Sequence, residues 1–274
     1  MAHYKRLAKL QYQFFHFALA VVTPVKPLFK LALRLLTRSA HQVRGHILPL
    51  NVPIGTARQL SPSRDIIAGM IEQATALAVM NECLCRSVGG CTEYPVDIGC
   101  MVLGDAVHRL HPGLGRVITK EDALKFLDRA LAHNLLPMVI HLHGDMLLWS
   151  LEYQRMLTIC FCCPCHCFIR EAIGKQKHPV ITREVTSLPG VTVGVDRQKC
   201  IGCGRCVALC FVGAAQVIDG KATRDHTLCV ACGRCAAGCP VGAAEVASPE
   251  PFDSSAVVRV YEERTREDSV FKRQ

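Results

Sequence analysis

Apolar and polar positions follow several different rhythms along this chain, and each predicts a different element. Residues 14–22 form a nine-residue apolar run that contains His16 and stops ahead of Pro24. That is too short to cross a bilayer, which takes about 20 apolar residues. A second run begins at Pro27, a favourable first helical position, and reads PLFKLALRLLTR. Lys26, Lys30, Arg34 and Arg38 recur every fourth residue and share one helix stripe, while Leu28, Phe29, Leu31, Ala32, Leu35 and Leu36 fill the rest. A basic stripe beside a broad apolar face suits a membrane interface or a packed protein surface.

Farther on, Thr119 and Asp122 make a capping-box-like pair ahead of a helix whose apolar face is Leu124, Leu127 and Leu131, and Asn134 ends it. Residues 137–143 read as a strand. Short β-prone pieces follow at 191–195, 216–218 and 245–247. The tail from 248 to 274 mixes charges and reads as a poorly ordered extension with an edge strand at 256–261.

Charge sharpens this picture. The formal net charge is +9, but residues 1–64 carry ten lysines and arginines and no carboxylate, while the remaining 210 residues sum to −1. A basic arm on a neutral body needs a surface or partner. Lys5, Arg6 and Lys9 ahead of an apolar run outline a signal peptide, yet Gln11, Gln13 and His16 break its apolar region. No base-reading motif accompanies the charge, so nucleic acid is not expected. No G-x-G-x-x-G precedes a helix and no P-loop occurs, which argues against a nucleotide site. His141 and His143, and His108 and His111, read as hydrogen-bonded or surface side chains.

The chemistry lies in 17 cysteines. Cys200, Cys203, Cys206 and Cys210 form a C-x2-C-x2-C-x3-C run, and Cys229, Cys232, Cys235 and Cys239 repeat it 29 residues later, with Pro240 following. The flanks CIGCGRCVALCFVGAAQVI and CVACGRCAAGCPVGAAEVA match closely. This is the ligand pattern for two [4Fe–4S] clusters. Gly202, Gly204 and Gly233 allow the tight turns that wrap thiolates around a cube. A zinc ribbon uses two cysteine pairs and leaves the third and fourth cysteines redundant. Such clusters are loaded in a reducing compartment, which predicts the cytoplasm.

Residues 191–248 resemble the bacterial-type two-[4Fe–4S] ferredoxins. The resemblance implies a βαββαβ pseudo-twofold module over 190–248 and crossed ligation. Cluster one would take Cys200, Cys203, Cys206 and Cys239; cluster two would take Cys229, Cys232, Cys235 and Cys210. Phe211 stands where that family usually has proline, which predicts altered packing without loss of a cluster.

The other nine cysteines fall in two dense groups: Cys83, Cys85, Cys91 and Cys100, then Cys160, Cys162, Cys163, Cys165 and Cys167. Soft thiolates in this density select an iron–sulfur cluster or zinc, or remain redox-active thiols. The ligand candidates for an additional site are Cys83, Cys85, Cys91, Cys100, Cys160, Cys162, Cys163 and Cys165, with their grouping left open. Over residues 80–248 the order of CLCR, the glycine-cysteine element, ICFCCPCHC and the two runs resembles a family of anaerobe 4Fe–4S proteins. Its members carry a C-x-C-R and I-C-x-C-C-x-C-C-C domain ahead of a ferredoxin module. His166 stands where that family often has cysteine, and Phe161 where it often has asparagine.

The expected fold is α+β: a basic amphipathic arm over 1–64, a mainly helical cysteine-rich domain over 65–180, the ferredoxin-like module over 190–248, and a mixed-charge tail over 249–274. The expected function is electron transfer through two [4Fe–4S] clusters to or from a redox partner protein. Alternatives are a redox enzyme subunit with an open metal site in the cysteine-rich domain, and a redox sensor. The location is cytoplasmic, with peripheral contact at the inner face of a membrane through residues 24–41.

Overall fold

The computed structural model describes residues 6–13, 43–50, 53–54, 59–60, 63–174, 179–247, 254–266 and 268–272. The apolar run at 14–22, the basic helix from Pro27 and the membrane-contact segment 24–41 lie outside the described residues. In chain order the elements begin with α1 (residues 6–13), β1 (Val43–Ile47), β2 (Pro53–Ile54), β3 (Gln59–Leu60) and α2 (Ser63–Gln73). They continue through β4 (Leu77–Met80), α3 (Leu84–Gly89), β5 (Met101–Leu103), β6 (Gly115–Val117), α4 (Lys120–Ala132), β7 (Leu136–Leu142) and α5 (His143–Trp149). Next come β8 (Leu157–Cys162), α6 (Phe168–Ile173), α7 (Pro179–Glu184) and β9 (Val185–Ser187). The last are β10 (Thr192–Val195), α8 (Arg205–Leu209), β11 (Ala215–Ile218), β12 (Lys221–Arg224), α9 (Arg234–Ala237), β13 (Ala244–Ala247) and α10 (Ser254–Glu262).

The cysteine-rich region is built on a sheet, not chiefly on helices. Seven strands lie in the order β6-β4-β5-β8-β7-β1-β9, antiparallel except for β1 beside β9. Segments such as LAVM and MVL are buried on both faces. Such short apolar runs carry no alternation, so periodicity could not separate them from helix. Along β8 the period of two sends Phe161 against Phe126 of α4, with ring centroids 5.8 Å apart, and turns Cys160 and Cys162 to the opposite face. α2 packs on the α4 side with Ile66, Ile67, Met70 and Ile71 fully buried. Truncating any of these to alanine should cost about 2–5 kcal/mol.

The predicted helix and strand are found where expected. Thr119 accepts a hydrogen bond from the Asp122 backbone N–H and caps α4, and Asn134 takes the left-handed conformation just past its end.

Two boundaries move. The described residues among 43–64 do not form an arm: β1 sits between β7 and β9, and the β2–β3 hairpin joins β13 through the Val246–Ile54 pairing. The tail is also integrated. Residues 256–261 are helical, within α10, because Val257, Val258 and Tyr261 fall at helical spacing and bury together. The Tyr261 hydroxyl donates to the Val139 carbonyl (3.0 Å) and lies 2.9 Å from His46 Nδ1. Phe271 bridges to Ala74, and the Thr75 N–H donates to the Val270 carbonyl. Residues 192–247 follow the order β10-α8-β11-β12-α9-β13, with β10 on β13 and β11 on β12. Among the described residues no helix is long and apolar enough to cross a membrane.

Candidate metal centres

The repeat cysteines fall into two sets of four. Cys200, Cys203, Cys206 and Cys239 line one small cavity; Cys210, Cys229, Cys232 and Cys235 line another. The fourth cysteine of each run therefore stands with the other run. Gly204 and Gly233, at φ +73° and +74°, start α8 and α9 in matched left-handed conformations. Gly202 is required by space as well as angle, since a Cβ there would lie 2.1 Å from the Gly220 carbonyl oxygen. Backbone amides approach the sulfurs: Ala222 N–H donates to Cys200 Sγ (3.3 Å) and Ala243 N–H to Cys239 Sγ (3.2 Å). The amides of Ala222 and Gly202 draw the Cys200 thiol below its ordinary range, which suits a thiolate. In the other set burial dominates and pushes Cys232 up to about 12 and Cys235 to about 11. Four converging thiols with amides aimed at sulfur fit a [4Fe–4S] cube in each cavity.

The second set is joined to the cysteine-rich sheet. Arg234 Nη2 donates to the Cys162 carbonyl (3.3 Å), Leu50 N–H donates to the Cys232 carbonyl (3.0 Å), and the Arg170 guanidinium lies over the Phe211 ring.

On the sheet, pairing of β5 with β8 brings the two upstream cysteine groups together in two neighbouring sets that share Cys163. Cys83, Cys85, Cys100, Cys160, Cys162, Cys163 and Cys167 line a cavity of about 350 Å3, with His166 at its wall, floored by the strands and closed by Tyr12, Leu148 and Trp149. Cys100 Sγ lies 3.7 Å from Cys160 Sγ, and the Cys167 thiol donates to Cys162 Sγ at 2.9 Å. Hydrogen bonding with Cys83 lowers the Cys85 thiol to about 6.

Beside these sulfurs Arg86 is 1% exposed and pairs with no carboxylate among the described residues. Its guanidinium donates to the Phe161 carbonyl (2.8 Å) and to the Ile98 carbonyl, while Nε has no partner. Cys83, Cys163 and Cys100 are its charged neighbours, and against the cost of burial they favour its cation. A buried cation demands nearby negative charge, and metal-bound thiolates at this place would supply it. Asp145 lies in the same wall, where burial pushes its carboxyl up to about 7.

The remaining two cysteines, Cys91 and Cys165, join Cys163 in a tighter set. Sulfurs of Cys91, Cys163 and Cys165 and an imidazole nitrogen of His166 lie within 4.8 Å of one another. Of the eight candidates for one additional site, five line the cavity alone, Cys91 and Cys165 stand in the tight set alone, and Cys163 belongs to both. Cys167 also lines the cavity and His166 borders both, while Arg86, Asp145 and Tyr12 complete the cavity. Cys167 and Arg86 lie inside the ICFCCPCHC and CLCR motifs and are legible there; Asp145 and Tyr12 carry no sequence signal. His141 stacks on Tyr153 with centroids 3.8 Å apart and takes no part.

Residues 193–246 match the 4Fe-4S dicluster domain family. The chain therefore contains a ferredoxin-type 4Fe–4S domain. No curated protein matches the chain.

Proposed function

We propose that the chain is an iron–sulfur electron-transfer protein with two [4Fe–4S] clusters. Cys200, Cys203, Cys206 and Cys239 hold the first; Cys229, Cys232, Cys235 and Cys210 hold the second. Bound cubes supply reversible one-electron chemistry at potentials that the surrounding residues tune. The observation that carries this reading is the gathering of eight repeat cysteines around two cavities, four to each. The β10-α8-β11-β12-α9-β13 order supports the ferredoxin arrangement, and the resemblance of residues 80–248 to the anaerobe proteins supports its coupling to the cysteine-rich sheet.

Position sets the route. Ile201 and Val207 are exposed beside the first set, so a redox partner protein exchanges electrons there. Arg234 ties the second set to the backbone of Cys162, so electrons continue toward the cavity thiols. A third cluster in that cavity, its charge balanced by Arg86, extends the path. The test is iron and acid-labile sulfide on protein purified without oxygen. About eight irons are expected with two cubes and about 12 with three; fewer than about four would overturn the proposal.

The protein works in the cytoplasm, with residues 24–41 lending peripheral contact to the inner face of a membrane and with no nucleic-acid partner. Deleting residues 24–41 should abolish co-sedimentation with anionic liposomes while iron content stays constant. Undiminished sedimentation would reject the membrane contact.

A second reading, a redox enzyme, is favoured by one observation: the cavity places the protonatable Asp145 carboxyl beside thiols. An Asp145→Asn variant that keeps its iron and potentials but loses turnover of a small oxidant would select it.

A further inference from the structure

We infer that Cys91, Cys163, Cys165 and His166 form a closed site for one tetrahedral metal ion, zinc, at the edge of the thiol-lined cavity. The inference does not depend on the electron-transfer reading. It starts from spacing. In a mononuclear site with Zn–S bonds of about 2.3 Å, neighbouring sulfurs stand about 3.8 Å apart. Cys91 Sγ and Cys165 Sγ are 3.5 Å apart, and all four donor atoms lie within 4.8 Å of one another. Thiolates of a cube bind four different irons and must stand farther apart, so this set is too tight for a cluster.

A second observation concerns the imidazole. His166 Nδ1 is buried and has no hydrogen-bond partner among the described residues. The ring is held against Gly89, where a Cβ would lie 2.3 Å from His166 Cδ2. A buried ring nitrogen without a partner is costly unless a metal or donor meets it.

The electrostatics agree. Three thiolates and one neutral imidazole around Zn2+ leave a net charge of about −1. The buried Arg86 cation lies among Cys83, Cys100 and Cys163, so it faces this site as well as the cavity. The backbone N–H of His166 donates to Cys163 Sγ at 3.2 Å, an outer-shell contact of the kind that orients zinc-bound thiolates. The ion would join the loop after α3 to the loop after β8. The loop after β8 borders the thiol-lined cavity through Cys163 and His166, and the charge of Arg234 reaches Tyr94 in the other loop. Zinc has no redox chemistry, so its role is to fix that junction while electrons bypass it.

The experiment measures zinc and iron together on the full chain purified without oxygen, then replaces zinc by Co2+. About one zinc per chain is expected, with the ligand-field and thiolate-to-cobalt bands of a tetrahedral site. Cys91→Ser and His166→Ala should lower zinc at least about fivefold with iron unchanged; His166→Cys should keep zinc and shift the cobalt bands. Zinc below about 0.1 per chain in the wild type would overturn the site. Iron falling by about four in His166→Ala with zinc retained would make these residues cluster ligands and overturn it too. Should the serine and alanine variants fail to fold, the cobalt bands of His166→Cys decide, and bands identical to wild type refute ligation by His166. Iron near eight without zinc would sink this inference alone; zinc near one without iron would sink only the electron-transfer reading.

Discussion

The two cysteine runs are nearly the same sequence 29 residues apart, and the fold places them in opposite surroundings. Ile201 is 63% exposed; its counterpart Val230 is 9% exposed. Cys203 is exposed, whereas Cys232 is largely covered by the sheet region. Arg205 faces solvent, while Arg234 at the matching position donates to the Cys162 carbonyl. Local geometry survives the difference: Gly204 and Gly233 agree within a degree, and Asp196 and Asp225 each accept backbone hydrogen bonds from the turn ahead of the run. A repeat fixes how the chain wraps a cube, and tertiary packing decides what each cube feels.

The largest test of this contrast removes one ligand from each set. Cys232→Ser should lose about four irons and also destabilise the whole chain by roughly 2–4 kcal/mol, since its side chain packs against the main core. Cys203→Ser should lose about four irons with little effect on unfolding of the sheet. Iron analysis with calorimetric unfolding checks both, and equal losses of stability would erase the distinction.

Next comes a pair of backbone tests. Gly202→Ala should cost about 2–3 kcal/mol, because the new Cβ meets the Gly220 carbonyl. Ala231, the matching residue, already sits at φ 47°, so Ala231→Gly should gain up to about 1 kcal/mol. Denaturant unfolding of the metal-loaded chain measures both; a gain in Gly202→Ala would contradict the geometry.

The smallest effect concerns potential. Arg234→Gln removes a positive charge beside the second set and should lower that cluster's potential by tens of millivolts, whereas Arg205→Gln should move neither by more than a few. Spectroscopic redox titration resolves the two clusters, and equal shifts would show that burial does not separate them.

What was legible in the sequence follows from this. Cys200 to Cys239 could be read because cube ligation imposes fixed spacing on one stretch of chain. Thr119, Asp122 and Asn134 could be read because a helix end is a local hydrogen-bonding problem. The upstream centres were not, because Cys91 meets Cys165, and Cys100 meets Cys160, only after two distant strands pair. β1 does not stand out from the basic arm in the sequence because its five residues, VRGHI, carry little apolar signal. The tail's helix is hidden in the sequence because AVVRVY satisfies both strand and helix patterns until Tyr261 finds Val139 and His46.

That last contact bears on the order of manufacture. At a synthesis rate of about 5–20 residues per second, the repeat cysteines leave the ribosome seconds before α10 and the Phe271 bridge exist. The α2 face of the seven-stranded sheet cannot be fully covered until then, since Tyr261 and Val270 reach back to β7 and the segment after α2. The upstream thiols line a cavity on the other face, which none of residues 254–272 borders, so metal can reach them before this last cover arrives. A chain ended after residue 250 should therefore keep its metals and unfold at lower denaturant; loss of the upstream metal would show that the cover is needed for loading.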